Sequence, residues 1–254
     1  MTYCLGILLE EGLVLASDSS SNAGLDQIAK VNKLNLMPPA PDRLIAIQSA
    51  GNLATTQAVI TTLREAFGGG DPALDLKACQ TMFGVAQIVG ERLRAGIARD
   101  RAFVTPYGDP GAGFLVSGQI AGQPPRLFQI YSAGNFVEAT DRAPFLQIGE
   151  TKYGKPILDR ALSRSSALDE AARLAMLSFD ATIRSNLSVG LPLDVLLYRT
   201  GSYSGANVVT VTSDDPYWVS LRETYGKGLM DLIDGLPPPP QAWQPGSISK
   251  AERT

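Results

Sequence analysis

The chain has 254 residues, a formal net charge of −3, two cysteines and no histidine; 44% of its residues are hydrophobic and 19% charged. That length suits one sizeable domain, or at most two, with a full core, and the composition is that of an ordinary soluble globular protein. The weak negative charge carries no electrostatic footprint for nucleic acid. The missing histidine removes the Ser-His-Asp and Cys-His hydrolase designs, together with the H-E-x-x-H zinc site, His-ligated haem and the two-His-one-carboxylate iron site. Any hydrolytic base must be a carboxylate, a lysine or the α-amine of the chain.

The first residues read as strands. Thr2 to Leu9 is rich in β-branched, aromatic and aliphatic residues; Glu10-Glu11-Gly12 follows, then Leu13 to Ser17. Two apolar runs around a short glycine-containing turn predict a β-hairpin. A polar loop, 19–27, leads to a strand over 33–37, which the prolines at 38, 39 and 41 end. A further strand over 43–49 closes on Ala50-Gly51-Asn52. Helices are expected over 53–67, stopped by three glycines, and over roughly 76–98, where Phe83, Ala86, Val89 and Leu93 share a face.

The segment 99–113 reads as a loop, and strands are expected at 114–120, 126–131 and 135–139. Helices follow over 153–164 and 167–185, the second with Ser166 and Asp169 in capping-box positions. Strands are predicted at 193–198 and 207–211. Asp215-Pro216 forms an N-cap and first-turn pair for a last helix ending before Gly235. The proline run at 237–240 opens an extended tail, 236–254. Segregated runs of strands and helices point to an α+β fold of antiparallel sheets covered by helices.

Cys4 and Cys79 are too few for a disulfide framework and read as reduced core thiols. No apolar run reaches the length of a membrane span, no leader-type segment opens the chain, and a cytoplasmic protein with no membrane association is expected. The glycine-rich stretches 68–70 and 108–113 lack the Lys-Ser/Thr of a phosphate loop. Neither a cofactor nor a metal is implied.

The amino end carries the chemistry. Met1 precedes a small residue, so removal of the initiator is expected to expose Thr2 with a free α-amine and a β-hydroxyl. An α-amine with a pKa near ~7.7–8.0 is a usable base at neutral pH, and a threonine activated by its own amine needs no histidine. The hairpin turn sets Thr2 opposite residues 18–20, where Asp18 stands. Lys33 opens the next strand; close to the amine it would lower the amine's proton affinity, with Asp18 as its ion-pair partner. Taken alone, Asp18 also reads as a polar strand end, Lys33 as a surface charge, and Gly51 as a turn glycine.

Together, Thr2, the run Gly-Leu-Val-Leu-Ala-Ser-Asp18-Ser, Ala23-Gly24, Lys33 and Ser49-Ala50-Gly51 resemble the proteasome β-subunit pattern of N-terminal nucleophile (Ntn) hydrolases. The opening Thr-Tyr-Cys, Gly149-Glu150-Thr151-Lys152-Tyr153-Gly154, Ser178-Phe179-Asp180 and Asn186 through Gly190 resemble, more narrowly, the bacterial ancestral beta subunit (Anbu) group. The resemblance spans roughly residues 2–235.

It implies a four-layer α-β-β-α sandwich of two antiparallel sheets over residues 1–235. It further implies that Thr2 is nucleophile and base, tuned by Asp18 and Lys33, with the Gly51 N–H as oxyanion hole. Glu150 falls where proteasomes carry a serine, Ser188 matches their later serine, and Ser185 stands where they carry an aspartate. Lys33 requires a one-residue gap in the preceding loop, so Lys30 is a minor alternative.

The function so implied is threonine-type peptide or amide hydrolysis within a large homo-oligomer of rings or helical turns. Two alternatives stay open: a catalytically weak self-assembling scaffold, and a small-molecule amidase of the same superfamily. Nothing in the sequence names an unfoldase partner.

Overall fold

The fold is described from a computed structural model, whose described residues are 2–22, 28–203, 208–240 and 243, with backbone alone at 20–22 and 28–30. The hairpin forms as expected. Strand β1 (Tyr3–Leu8) pairs antiparallel with β2 (Gly12–Asp18), and the turn closes through Leu9 N–H donating to Gly12 O. The register runs from Cys4 opposite Ser17 to Leu8 opposite Leu13.

One five-stranded sheet contains β1, β2, β10 (Phe145–Gly149), β11 (Leu193–Arg199) and β12 (Val208–Val211), in the order β10-β1-β2-β11-β12. The other contains β5 (Leu34–Leu36), β6 (Arg43–Gly51), β7 (Ala112–Ile120), β8 (Arg126–Ile130) and β9 (Phe136–Glu138), in chain order. Between β2 and β5 a small ladder joins β3 (Ser20–Asn22) to β4 (Ile28–Lys30). The described pairings between strands are all antiparallel.

β1 and the first five residues of β2 carry no charged side chain, and both faces of these strands are buried. Alternate residues go to opposite sides of a sheet. Cys4, Leu8, Leu13 and Leu15 meet Leu44, Ala46, Leu115 and Leu127 of the other sheet, forming the inner core. Tyr3, Leu5, Ile7, Val14 and Ala16 turn outward, onto the layer of α3 (Lys155–Ala161), α4 (Leu168–Ser185) and α5 (Pro216–Gly235). On the opposite side Ile45, Ile47, Val116 and Phe128 pack beneath α1 (Leu53–Glu65) and α2 (Met82–Val104). The molecule is therefore an α-β-β-α sandwich of two antiparallel sheets, as expected.

Four elements differ from the sequence reading. The second helix begins at Met82 rather than near 76, because the buried Asp75 carboxylate accepts the amides of Gly68, Gly70 and Lys77 and holds that segment in turns. Thr81 then caps it by accepting from Gly84 N–H. The helix continues through 99–104, so the expected loop starts later. Strand β10 and the β3–β4 ladder inside the polar loop are additions to the expected elements; β10 is short and edge-placed, and its meaning comes only from pairing with β1. Finally, Ser166 does not cap α4: its hydroxyl accepts from the Ser163 amide, and Ala167 occupies the cap position.

The Asp215 cap on α5 is present, accepting from the Tyr217 and Trp218 amides. Residue 207, expected in a strand, and most of the tail lie outside the described residues. Among the described residues no helix is long and apolar enough to cross a membrane.

Candidate active site

The hairpin register places Asp18 opposite Tyr3, one pair beyond Cys4 and Ser17. The Tyr3 amide donates to Asp18 Oδ1 at 2.9 Å, which fixes the carboxylate one residue from the half-buried Thr2. Lys33 reaches the same carboxylate from the other sheet. Its Nζ lies 2.9 Å from both oxygens, and its own carbonyl accepts from the Ser49 amide of β6 at 3.0 Å. Asp18 is 0% exposed and Lys33 5%, so the pair bridges the two sheets away from water. Desolvation pushes the Asp18 carboxyl above its ordinary value, opposed by the Lys33 ammonium and the Tyr3 N–H.

Beside this pair lies Cys4, whose Sγ sits 3.5 Å from the Ser49 carbonyl. Burial drives its thiol up to about 12, so Cys4 is a neutral core thiol and not a nucleophile.

The third strand of the site is β10. Gly149 pairs with Tyr3, and the Glu150 amide donates to the Thr2 carbonyl at 2.7 Å. Gly149 has φ +85°, and a Cβ there would collide with the Thr2 carbonyl oxygen, so glycine is needed for the close approach. Glu150 is itself buried. Its Oε2 accepts from Asn186 Nδ2 at 2.9 Å, and Asn186 Oδ1 accepts from the Ser188 amide at 2.9 Å. Glu150 is thereby joined to the Thr2 backbone directly, and Ser188 through Asn186 and Glu150.

Gly51 ends β6 with φ +103°, opposite Ala112; a Cβ would lie 2.6 Å from the Gly111 carbonyl. With Gly149, Thr151, Gln147 and Ser132 it lines a cleft of about 430 Å³ between the ends of the two sheets. Thr2 is not in that lining; its carbonyl lies against Gly149, which is.

Ser185 stands apart from this cluster. It is the last residue of α4, exposed, and lines a cavity of about 280 Å³ with Tyr153, Tyr225 and Leu229. The Lys30 side chain lies outside the described residues.

Two supporting residues escape a reading by motif. Asn186, which belongs to a segment of the family resemblance but carries no assigned role there, is the bridge from Glu150 to Ser188. Asp194, in β11, accepts the Ser19 hydroxyl at 2.7 Å and the Thr210 hydroxyl at 2.8 Å. Ser19 also donates its amide to Pro192 and accepts the Val31 amide, both at 2.9 Å, so it ties the end of β2 to the segment that carries Lys33. The one available signal was a carboxylate in an apolar strand.

The arrangement brings together Thr2, a buried lysine–carboxylate pair and a glycine-lined cleft. No family model matches the sequence, and neither does any curated protein. Solved structures do. Anbu (ancestral beta-subunit) from Yersinia bercovieri is 43% identical with a TM-score of 0.87, covering 94% of this chain and 98% of that one. The helical assembly of the Anbu complex from Pseudomonas aeruginosa is 45% identical with a TM-score of 0.89, covering 95% and 100%. An Anbu (Gly-1) mutant from Hyphomicrobium sp. strain MC1 is 40% identical with a TM-score of 0.86, covering 94% and 100%. Identity at this level over nearly the full length of both chains shows that this chain belongs to the Anbu (ancestral beta-subunit) family.

Proposed function

We propose that this chain is a threonine-type peptide or amide hydrolase working within a self-assembled, proteasome-like homo-oligomer. The observation that carries the reading is the Asp18–Lys33 pair, buried one residue from Thr2 in a chain without histidine. A buried lysine costs desolvation that its partner must offset, and here its position serves chemistry: it depresses the proton affinity of a neighbouring amine and hydroxyl.

With Met1 removed, Thr2 Oγ attacks the substrate carbonyl carbon while the Thr2 α-amine takes the hydroxyl proton. The carbonyl electrons become an oxyanion facing the Gly51 N–H. As the tetrahedral adduct collapses, the C–N bond breaks and the ammonium returns the proton to the leaving amine. The acyl group is now an ester on Thr2. A water molecule, losing its proton to the same amine, attacks that ester, and collapse regenerates Oγ–H and releases the acid. The glycine-lined cleft beside Gly149 is the space for the acyl side of the substrate.

The test begins with intact mass, which is expected to show a chain lacking Met1. On that material, Thr2→Ala is expected to abolish hydrolysis of short peptide amides, and selective acylation of the α-amine is expected to do the same. Retention of Met1, or full activity in Thr2→Ala, removes the hydrolase reading. A peptide-library profile separates peptidase from small-molecule amidase.

One observation favours a second reading, a scaffold with a weak site. By the resemblance, Ser185 stands where proteasomes carry an aspartate, and it faces the α4–α5 cavity, away from the α-amine. The helical assembly of the similar Pseudomonas complex is compatible with either reading. Normal assembly together with no turnover by a Met1-free chain decides for the scaffold.

A further inference from the structure

Strand β6 leads into the site, and the direction of its amides decides where a substrate residue lies. The Asn52 amide donates to the Gly111 carbonyl, on the β7 side, at 2.9 Å, while the Ser49 amide donates the other way, to the Lys33 carbonyl. Successive amides of a strand point to opposite neighbours. The Gly51 N–H, two residues after Ser49, therefore points away from β7, past the beginning of β5. A carbonyl oxygen facing it is set beside the segment 31–35 and the first turn of α1.

A cavity of about 510 Å³ opens there, between that segment and α1. Its lining is polar: Asn32, Asn35, Ser49, Gln57 and Arg64 contribute amides, a hydroxyl and a guanidinium. Among the described residues that line it, Arg64 is the one with a charge, and no carboxylate is there to neutralise it. Asn35 steadies the guanidinium. Its Oδ1 accepts from Arg64 Nη2 at 3.1 Å, and its Nδ2 donates to the Asn32 carbonyl at 3.2 Å. One described acceptor leaves most of the five guanidinium N–H donors for a ligand. Arg64 lies about 16 Å along α1 from Leu53. Helical side chains lean back toward the N-terminus, which brings the charge toward the mouth of the cavity. A glutamate spans the remainder better than the shorter aspartate.

We propose that this cavity is a specificity pocket for an acidic side chain, glutamate above all, on the residue whose carbonyl Thr2 attacks. The rest of the acyl part keeps to the glycine-lined cleft that Gly51 also borders. The inference rests on the proposed hydrolase function and names the substrate class of that site. A carboxylate meets Arg64 in a charge-assisted hydrogen bond; glutamine lacks the charge, and lysine is repelled.

The test is cleavage, by the full chain lacking Met1, of peptide amides that differ only at that residue: glutamate, glutamine or lysine. kcat/KM for glutamate is expected to exceed that for glutamine by about tenfold and that for lysine by more. Because Arg64 is exposed, the margin is expected to shrink as salt rises. Arg64→Glu is expected to reverse the order of glutamate and lysine, and Arg64→Gln to level it, while Arg101→Glu, also exposed but on α2, leaves it as it is. Calorimetric binding of the glutamate and glutamine peptides to the Thr2→Ala protein reads the pocket without turnover. The same preference is expected there, and its loss in Thr2→Ala/Arg64→Glu. Absence of cleavage by a chain lacking Met1 overturns the hydrolase reading, and the binding comparison then decides the pocket by itself. Equal binding of the two peptides, no binding of the glutamate peptide, or a preference that survives Arg64→Glu overturns the pocket assignment alone.

Discussion

Among the described residues, two carboxylates are almost wholly buried and paired with cations, yet they stand in different relations to function. Asp180, on α4, accepts Arg184 at 3.0 Å and Arg222 at 2.6 Å, and both arginines reach in from partly exposed positions. Its pairing ties α4 to α5 and leaves both guanidinium groups partly in water. Asp18 is paired with a lysine that is itself buried, between two sheets, one residue from Thr2. Arginine suits the first task, with a charge that does not titrate and a planar fork. Lysine suits the second, as a compact charge that acts on neighbouring protons. The difference teaches that burial and pairing alone do not mark a site; the identity of the cation and what lies next to it do.

The largest effect that would sharpen this contrast is expected from Lys33→Ala. It leaves a buried carboxylate without its partner, and a loss of about 3–5 kcal/mol in denaturant unfolding is expected, together with loss of hydrolysis. Arg222→Ala, by contrast, leaves Asp180 still paired with Arg184. A loss of about 1–2 kcal/mol is expected, with hydrolysis intact. Equal losses in the two variants would break the comparison.

Alkaline pH separates the two regions as well. Cys4 is raised from 9.0 to about 12 by burial, and Tyr3 from 10.0 to about 12. Above pH 9 the unfolded chain gives up protons that the native state keeps, so stability falls as pH rises between about 9 and 12. For the thiol alone the loss at pH 10.5 is about 2 kcal/mol. Cys4→Ala is expected to flatten that part of the stability–pH curve, whereas Arg222→Ala leaves its slope unchanged. Smallest of all, Ser185→Ala is expected to shift stability by no more than about 0.5 kcal/mol and to leave turnover unaltered. A tenfold fall in turnover would restore Ser185 to the site.

What is legible in the sequence follows from how local its signals are. The hairpin carries its own turn, and opposed residue numbers in it have a fixed sum, so the turn by itself puts Asp18 near Thr2. The Asp215-Pro216 cap is equally local. The start of α2 is not, because the residue that withholds helix from 76–81 is Asp75, acting on glycine amides several positions earlier. Strand β10 and the Glu150–Asn186–Ser188 chain depend on contacts between residues far apart in sequence. Ser185 shows the limit of reading by position: next to Asn186 in sequence, it faces a different cavity.

The central claim is that Thr2 supplies both nucleophile and base. The most direct measurement is covalent trapping: the full-length protein is incubated with a β-lactone electrophile, digested, and the adduct located by peptide mass. A single acyl adduct is expected on Thr2 of a chain lacking Met1, formed faster as pH rises through the α-amine range and absent after N-terminal acylation. An adduct on another residue, or none on a chain whose Met1 has been removed, would contradict the account.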